Sequence, residues 1–292
     1  LDIPEYLTNN YHEFQDSFFT SYPLSPSPQD LTLPDGSLRN YQFPTYFSQV
    51  QFSAGVFLCD YQQAAKQIPE SCLKPVSATG NRAMVIIASY QYRNIHQMKS
   101  YNEVLVMIPV LHKGLSIPLL PLMPGFPGAR YYIIALPMTS LENQLRGQQL
   151  WGLPKKLHEV TIGTDKQYCE TQIKQGNELD LILRTPKHGK ATKSNQINHV
   201  FSIKDNKLIR FKTHFTGITQ NTNHWNSLFK SEKARCNTGN SNYLTLGDSP
   251  LAHMLKQLNI DPVPFKTKYC NDLKSCLFLP DTDFKEGGRV TL

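Results

Sequence analysis

The most informative segment of the sequence is Gly147-Gln-Gln-Leu-Trp-Gly-Leu-Pro-Lys-Lys-Leu157. Upstream of it, Thr139-Ser-Leu-Glu142 has the spacing of a capping box and predicts a helix that runs to about Gln149. Gly152 and Pro154 end that helix, because the residue before a proline is pushed out of the helical region. The next strand is predicted after the lysine pair, at about residues 157–161.

Short strand-like runs alternate with turn signals on both sides of this segment. The strand candidates are residues 50–59, 83–92, 103–112, 131–136, 157–161, 168–174, 179–184, 199–203, 207–215 and 275–279. Two more helices are predicted at about 60–67, capped by Asp60, and at about 251–258 after Ser249-Pro250. Residues 185–198 are rich in Lys, Gly, Ser and Asn and predict a hairpin loop. The pattern indicates a mainly β (α+β) fold, a curved antiparallel sheet or barrel with a few peripheral helices.

Residues 1–45 differ in composition from the rest of the chain. Five prolines fall between positions 23 and 44 among serines, asparagines and aromatic residues. This composition predicts an extended arm with one short helix near residues 5–19. Its aromatic side chains favour packing on the chain's own domain, and a partner subunit is the alternative. We therefore expect an N-terminal arm over 1–45 and a single barrel domain over 46–292.

Composition and charge narrow the classes of function. Of the 292 residues, 40% are hydrophobic and 18% charged, and no stretch approaches the ~20 apolar residues of a membrane span. The formal charge is +7, but the lysines are scattered, so neither a nucleic-acid nor a membrane partner is predicted. A positive field is compatible with a small anionic substrate.

The six cysteines form no CxxC pair and have no zinc-like spacing, so no metal or organic cofactor is predicted. Their even number leaves disulfides possible. The sequence begins at Leu1, which leaves the compartment open: cytoplasmic, or secreted or periplasmic if a leader was removed.

The central segment resembles the signature of the acetoacetate decarboxylase family. That signature is roughly Gly-Arg-Glu, then residues among which Trp-Gly is common, then Pro-Lys-Lys. Three other segments are also similar to the family: Asp60 before a short helix that ends at Pro69, Tyr101-Asn-Glu103 before an apolar strand, and the helix at Ser249-Pro-Leu251. The resemblance covers about residues 45–285 and implies a β-barrel and a homo-oligomer.

The resemblance also implies a chemistry. A β-keto acid loses carbon dioxide when the electrons left behind have an acceptor, and a lysine imine accepts them as an enamine. The amine must be neutral to attack, yet at a pKa of about 10.4 only roughly one lysine in a few thousand is neutral at pH 7. A lowered lysine pKa is the known solution in this family.

Lys155 matches the nucleophile, and Glu103 matches a carboxylate that moves protons near the imine. The residues expected to shape the substrate pocket are Lys156, Trp151, Gln148 and Gln149. On a strand, Lys155 and Lys156 would leave on opposite faces, so burial, not the charge of Lys156, would lower the pKa of Lys155. A bulge at this point would weaken that argument.

Two departures from the family pattern bear on activity. Gly-Arg-Glu is Gly147-Gln-Gln149 here, so both charges are replaced by amides. The family's arginine for the substrate carboxylate would fall at about Val50 or Gln51, where no arginine is close. The arginines that could replace it from another strand are Arg82, Arg93 and Arg130, whereas Arg39 lies in the arm.

The sequence thus predicts a Schiff-base-forming lyase of the carboxy-lyase type, acting on a small oxo acid or ketone. One alternative is an aldolase or dehydratase that does not decarboxylate. Another is a catalytically inactive small-molecule-binding protein of the same fold. An interaction module that uses the arm is a third class.

Overall fold

The computed structural model describes residues 10–69, 73–78, 80–112, 130–224, 242–281 and 284. Its helices are a 3₁₀ helix at Asn10–Phe14, α1 (Ser17–Thr20), α2 (Tyr61–Lys66), α3 (Leu141–Trp151) and α4 (Pro250–Gln257). Its strands are β1 (Ser25–Pro26), β2 (Leu31–Thr32), β3 (Leu38–Arg39), β4 (Gln42–Phe43), β5 (Thr45–Asp60), β6 (Leu73–Pro75), β7 (Arg82–Ile95), β8 (Tyr101–His112), β9 (Arg130–Met138), β10 (Lys155–Leu157), β11 (Glu159–Thr164), β12 (Tyr168–Gln175), β13 (Glu178–Pro186), β14 (Lys190–Lys204), β15 (Lys207–Asn223), β16 (Leu244–Leu246) and β17 (Lys266–Leu277).

Seven of the described strands close into a barrel. Round the ring the order is β9, β14, β15, β17, β5, β7 and β8, and β8 pairs again with β9. Neighbours are antiparallel except β14 and β9, which are parallel. Strands make up 58% and helices 14% of the described residues, which confirms the predicted mainly β fold with a barrel and few helices.

A second sheet, in the order β11-β12-β13-β16, covers part of the outside of the barrel. The hydroxyl of Thr171 on β12 donates to Ser89 on β7 over 2.8 Å, which joins the two sheets. One apolar cluster fills the barrel around Tyr90 and Leu136, and another includes Val104 and Ile173. Because the covered strands bury both faces, they have the long apolar runs that made them recognisable in the sequence.

Helix α3 begins one residue later than the capping-box spacing indicated. Ser140, not Thr139, is the N-cap, and its hydroxyl accepts the N–H of Asn143 over 3.2 Å. The third helical position is therefore Asn143, so Glu142 does not complete a capping box. The Glu142 carboxylate instead accepts a hydrogen bond from Arg39 over 2.8 Å.

The end of α3 positions the lysine pair. The helix continues to Trp151, two residues beyond the predicted end at Gln149, and Gly152 then takes a φ of 60°. A Cβ at Gly152 would overlap the carbonyl oxygen of Ile203, so both the left-handed conformation and the close approach require glycine. Pro154 follows, and β10 begins at Lys155, two residues before the predicted strand start at Leu157.

The hairpin loop predicted over residues 185–198 is wrong. β13 extends to Pro186, and β14 already begins at Lys190 and pairs along its whole length with β15. Ser194, Gln196 and Asn198 alternate toward the barrel interior. Because the inward residues of this half of β14 are polar, and Lys193 and Asn195 between them are polar too, the segment lacks the apolar alternation that identifies a strand. The last strand is also longer than predicted, because β17 starts at Lys266.

The described part of the N-terminal arm packs on the barrel. The helix expected near 5–19 is two short pieces, the 3₁₀ helix and α1, and Asp16 caps the second; residues before Asn10 lie outside the described range. Phe14 and Phe19 form a buried cluster with Tyr46 of β5 and Cys276 of β17. No helix within the described residues is long and apolar enough to cross a membrane.

Candidate active site

Lys155 is the first residue of β10, and only 4% of it is exposed. β10 runs parallel to the end of β9 and pairs Lys155 with Leu136. Helix α3 passes beside this side chain, and a Cβ at Gly147 would overlap the Cδ and Cε atoms of Lys155. The glycine of the segment is therefore explained by the path of the lysine side chain into the barrel.

Glu103 on β8 lies directly opposite the lysine amine. The distance from Lys155 Nζ to Glu103 Oε2 is 3.3 Å, and both side chains are buried. The other carboxylate oxygen, Oε1, accepts the hydroxyl of Tyr92 over 2.9 Å. The structure thus brings together Lys155 and Glu103, which were predicted as catalytic residues and lie 52 positions apart in the chain. It adds Tyr92, which the sequence analysis missed.

Burial lowers the pKa of Lys155 from the usual value of 10.5. The negative charge of Glu103 opposes this and raises the lysine pKa, while the positive charge of Arg146 lowers it further. Lys156 leaves on the other face and is exposed, as the alternation along a strand requires. Burial of the amine, and not the neighbouring lysine, is therefore the main physical cause of its lowered pKa.

Arg146 is a buried cation that sequence reasoning missed. Its guanidinium carbon lies 4.8 Å from the ring centre of Phe43 and 5.2 Å from that of Trp151, and it donates to the hydroxyl of Thr45. The arginine precedes the glycine of the segment instead of following it. Arg146 lies one helical turn before Leu150 on the buried face of α3, but that spacing alone does not distinguish a buried arginine from an exposed one.

The four residues expected to shape the substrate pocket are not among the described residues that line the barrel cavity. The side-chain amide of Gln148 donates to the carbonyl of Lys155 over 2.9 Å, and that of Gln149 donates to Thr32 in the arm over 3.1 Å. Trp151 is buried against the aromatic core and donates its indole N–H to the carbonyl of residue 278. Lys156 is exposed on the other face of β10.

A cavity of about 150 Å³ inside the barrel contains the Lys155–Glu103 pair. The aromatic residues of one wall are Tyr90, Tyr92 and Tyr101; the polar residues of another are Ser194, Gln196 and Asn198. An engineered cavity of about 150 Å³ in another protein binds benzene, so this space suffices for a small organic molecule. The arrangement places an amine and a carboxylate within reach of one such ligand.

The arginines considered for a substrate carboxylate are engaged elsewhere or lie off the described cavity wall. Arg39 contacts Glu142, Arg82 contacts Asp261, and Arg93 donates to Gln51 over 2.6 Å. Arg130 at the start of β9 also lies outside the set of described lining residues. The cation other than Lys155 in that set is Lys268 on β17.

Within the part of the chain that the structure describes, no group of three or more His, Cys, Asp or Glu side chains could hold a metal ion. Cys59, Cys169, Cys270 and Cys276 are buried free thiols. The neighbours Cys270 and Cys276 are therefore not joined to each other. Cys72 and Cys236 lie outside the described residues.

Solved structures with similar folds are acetoacetate decarboxylases and related enzymes. The acetoacetate decarboxylase of Legionella pneumophila subsp. pneumophila str. Philadelphia 1 is 13% identical, with a TM-score of 0.55 over 82% of this chain and 86% of that chain. An acetoacetate decarboxylase-like enzyme from Sphingomonas wittichii RW1 is 11% identical, with a TM-score of 0.52 over 85% and 96%. The enduracididine biosynthesis enzyme MppR complexed with pyruvate is 12% identical, with a TM-score of 0.50 over 84% and 92%. At these identities the likeness establishes the fold alone.

Sequence comparison identifies the family. No curated protein sequence matches the chain significantly. The family model described as acetoacetate decarboxylase (ADC) matches residues 22–263, which is well over half of the chain. The matched region includes the barrel strands β5, β7, β8, β9, β14 and β15 and the lysine-bearing segment. The chain therefore belongs to the acetoacetate decarboxylase family.

Proposed function

We propose that the protein is a Schiff-base-forming lyase that acts on a small oxo acid or ketone through an imine at Lys155. The observation that carries the proposal is the buried amine of Lys155, 3.3 Å from Glu103 in a cavity of small-molecule size. Family membership supports the same class of reaction. The family resemblance also predicts a homo-oligomer, which light scattering on the purified chain would test.

The reaction begins with the neutral Nζ of Lys155, which attacks the carbonyl carbon of the substrate. The carbinolamine takes up a proton and loses water, which leaves a protonated imine. If the substrate is a β-keto acid, the bond to its carboxylate breaks, carbon dioxide leaves, and the electron pair forms the enamine. A proton then adds to the enamine carbon, and water hydrolyses the imine to release the ketone and regenerate the amine.

Glu103 is the group that can move these protons. Its Oε2 faces the lysine amine, and protons taken from solvent can pass from it to the enamine carbon. The hydroxyl of Tyr92 donates to Oε1 and so fixes the orientation of the carboxylate. Burial, and then the charge of Glu103, raise the pKa of Tyr92 well above 10, so this tyrosine stays protonated and remains a donor.

A reaction that retains carbon dioxide is the second candidate. No arginine lines the cavity among the described residues, and the structurally similar MppR was solved with pyruvate, an oxo acid. An aldolase or dehydratase would use the same Lys155 imine but would break or form a different bond. A catalytically inactive binding barrel is the remaining alternative.

Borohydride trapping separates these candidates. The protein is incubated with acetoacetate or acetone, reduced with borohydride, digested and mapped by mass spectrometry, while carbon dioxide release is followed in parallel. We expect a reduced adduct at Lys155 that persists in Lys156→Met and is lost in Lys155→Met. An adduct without carbon dioxide release would favour aldolase or dehydratase chemistry. The absence of an adduct at Lys155 would contradict the proposal that the protein is an imine-forming enzyme.

A further inference from the structure

A second lysine reaches the cavity from the opposite side of the ring. Lys268 lies on β17, which is separated from β8 by β5 and β7, and it lines the cavity together with Lys155 and Glu103. Glu103 is the only carboxylate among the described lining residues, and it already pairs with Lys155. Lys268 is therefore a cation in the cavity wall without a counterion there.

The strand register gives Lys268 open space. Lys268 pairs with Ala54 on β5, and Ala54 pairs with Ala88 on β7, so small side chains follow it across two strands. The residues paired across the sheet with Glu103 are Tyr90 on β7 and, next to it, Phe52 on β5. This second set of paired residues lies two residues, or about 7 Å along a strand, from the set that contains Ala54 and Ala88. The cavity thus has room beside Lys268, whereas the aromatic rings of Phe52 and Tyr90 fill the space beside Glu103.

The electrostatics of β17 favour an anion at this position. Lys266 is buried two residues before Lys268, and burial together with the charge of Lys268 lowers the pKa of Lys266 to about 7. Burial also lowers the pKa of Lys268. Positive charge near the cavity is costly without a partner, and a bound carboxylate would offset that cost through a charge-assisted hydrogen bond.

We propose that Lys268 binds the carboxylate of the substrate, so that the substrate is an oxo acid and not a neutral ketone. The reaction of the substrate's carbonyl group with Lys155 rests on the proposed function, whereas carboxylate binding at Lys268 requires no imine.

The first test uses a carboxylate that has no carbonyl to react. Binding of pentanoate and of its neutral analogue pentanamide is measured by ligand-observed NMR with the full chain and with the variants Lys268→Met, Lys268→Arg and Lys274→Met. Lys274 is a matched control, because it lies on the same strand but pairs with Asp16 over 2.6 Å outside the cavity. We expect Lys268→Met to weaken pentanoate binding roughly tenfold or more, with pentanamide unchanged, Lys268→Arg close to wild type and Lys274→Met unaffected. Equal pentanoate binding by wild type and Lys268→Met, or none by wild type, would overturn the proposal.

The second test separates this inference from the proposed function. In borohydride trapping, Lys268→Met should form the acetone adduct as wild type does but should need a higher acetoacetate concentration for half-maximal adduct. An equal shift for acetone and acetoacetate would contradict a carboxylate-specific role. If wild type forms no adduct, the imine proposal fails, while the pentanoate measurement still decides whether Lys268 binds a carboxylate.

Discussion

Two facing walls of one barrel have opposite compositions. The wall built by β7 and β8 places Tyr90, Tyr92 and Tyr101 around Glu103, whereas β14, β15 and β17 contribute amides, hydroxyls and Lys268. The Lys155 amine pairs with Glu103 beside this aromatic wall, and burial lowers its pKa. The polar wall leaves donors where a charged part of a ligand can lie. We propose that the first wall sets the reactivity of the amine and that the second selects the ligand.

The largest expected effect comes from removing the amine on the aromatic side. Lys155→Met should lower turnover on the order of 10³-fold or more, because no covalent intermediate can form. The exposed neighbour provides the matched control, and Lys156→Met should keep near-normal turnover. Steady-state rates of both variants on the same oxo acid check this, and substantial turnover by Lys155→Met would mean that the reaction does not pass through this lysine.

Glu103→Gln should show a smaller loss and a shifted pH profile. Loss of a proton-transfer group lowers the maximal rate on the order of 10²-fold. Since the charge of Glu103 raises the pKa of Lys155, its removal lowers that pKa further, and the rise of the rate with pH should move to lower pH. The pH dependence of kcat/KM measures both effects.

The control for this carboxylate is Glu170→Gln, which removes an exposed glutamate on the second sheet. It should leave the pH profile in place. A Glu103→Gln profile that moves to higher pH would contradict the assigned sign.

Gly147→Ala should disturb the lysine without unfolding the protein. The added Cβ overlaps the Cδ and Cε atoms of Lys155, and that flexible chain can move aside. A displacement of about 1 Å from the reacting geometry costs up to about 10²-fold in rate. Gly163→Ala is the control, since nothing lies within 4 Å of its Cβ position. Imine formation rates and melting temperatures check this, and an unchanged rate in Gly147→Ala would show that the side-chain path does not matter.

The smallest effect is expected from Arg146→Met. The positive charge of Arg146 lowers the pKa of Lys155, so its loss should move the rise of the rate to higher pH. At neutral pH the rate should therefore fall, but less than in the variants above, because burial is the larger cause of the lowered pKa. Arg184→Met, which removes an arginine that stacks on Tyr168 away from the cavity, should leave the profile unchanged. A shift to lower pH would reverse the proposed role of this charge.

The two strands of the aromatic wall could be predicted from the sequence, although the contact of Tyr92 with Glu103 was missed. The apolar runs at 83–92 and 103–112 lie within β7 and β8, and the Gly152–Pro154 stop before Lys155 lies where it was expected. Long apolar strands and helix ends depend on local rules, namely side-chain alternation and backbone conformation. The pairing of Lys155 with Glu103 came from family resemblance, because no local pattern brings together residues so far apart.

The polar wall could not be predicted in the same way. Ser194, Gln196 and Asn198 face a cavity, so their strand has the composition of a loop. Lys268 lies before the predicted final strand, so its position in the cavity wall became visible only from the pairing of β17 with β5. Arg146 was missed because the family pattern directed attention to the residues after the glycine. Inward polar groups and buried cations depend on tertiary neighbours that local patterns do not contain.

The central claim is that burial outweighs the attraction of Glu103 and lowers the pKa of the Lys155 amine. An NMR titration of protein with ¹³C-labelled lysine measures this directly, and the spectrum of Lys155→Met assigns the resonance. We predict that the Lys155 resonance titrates below the usual 10.5. A resonance that titrates at or above 10.5 would mean that the ion pair with Glu103 dominates, and it would contradict a neutral nucleophilic amine at this position.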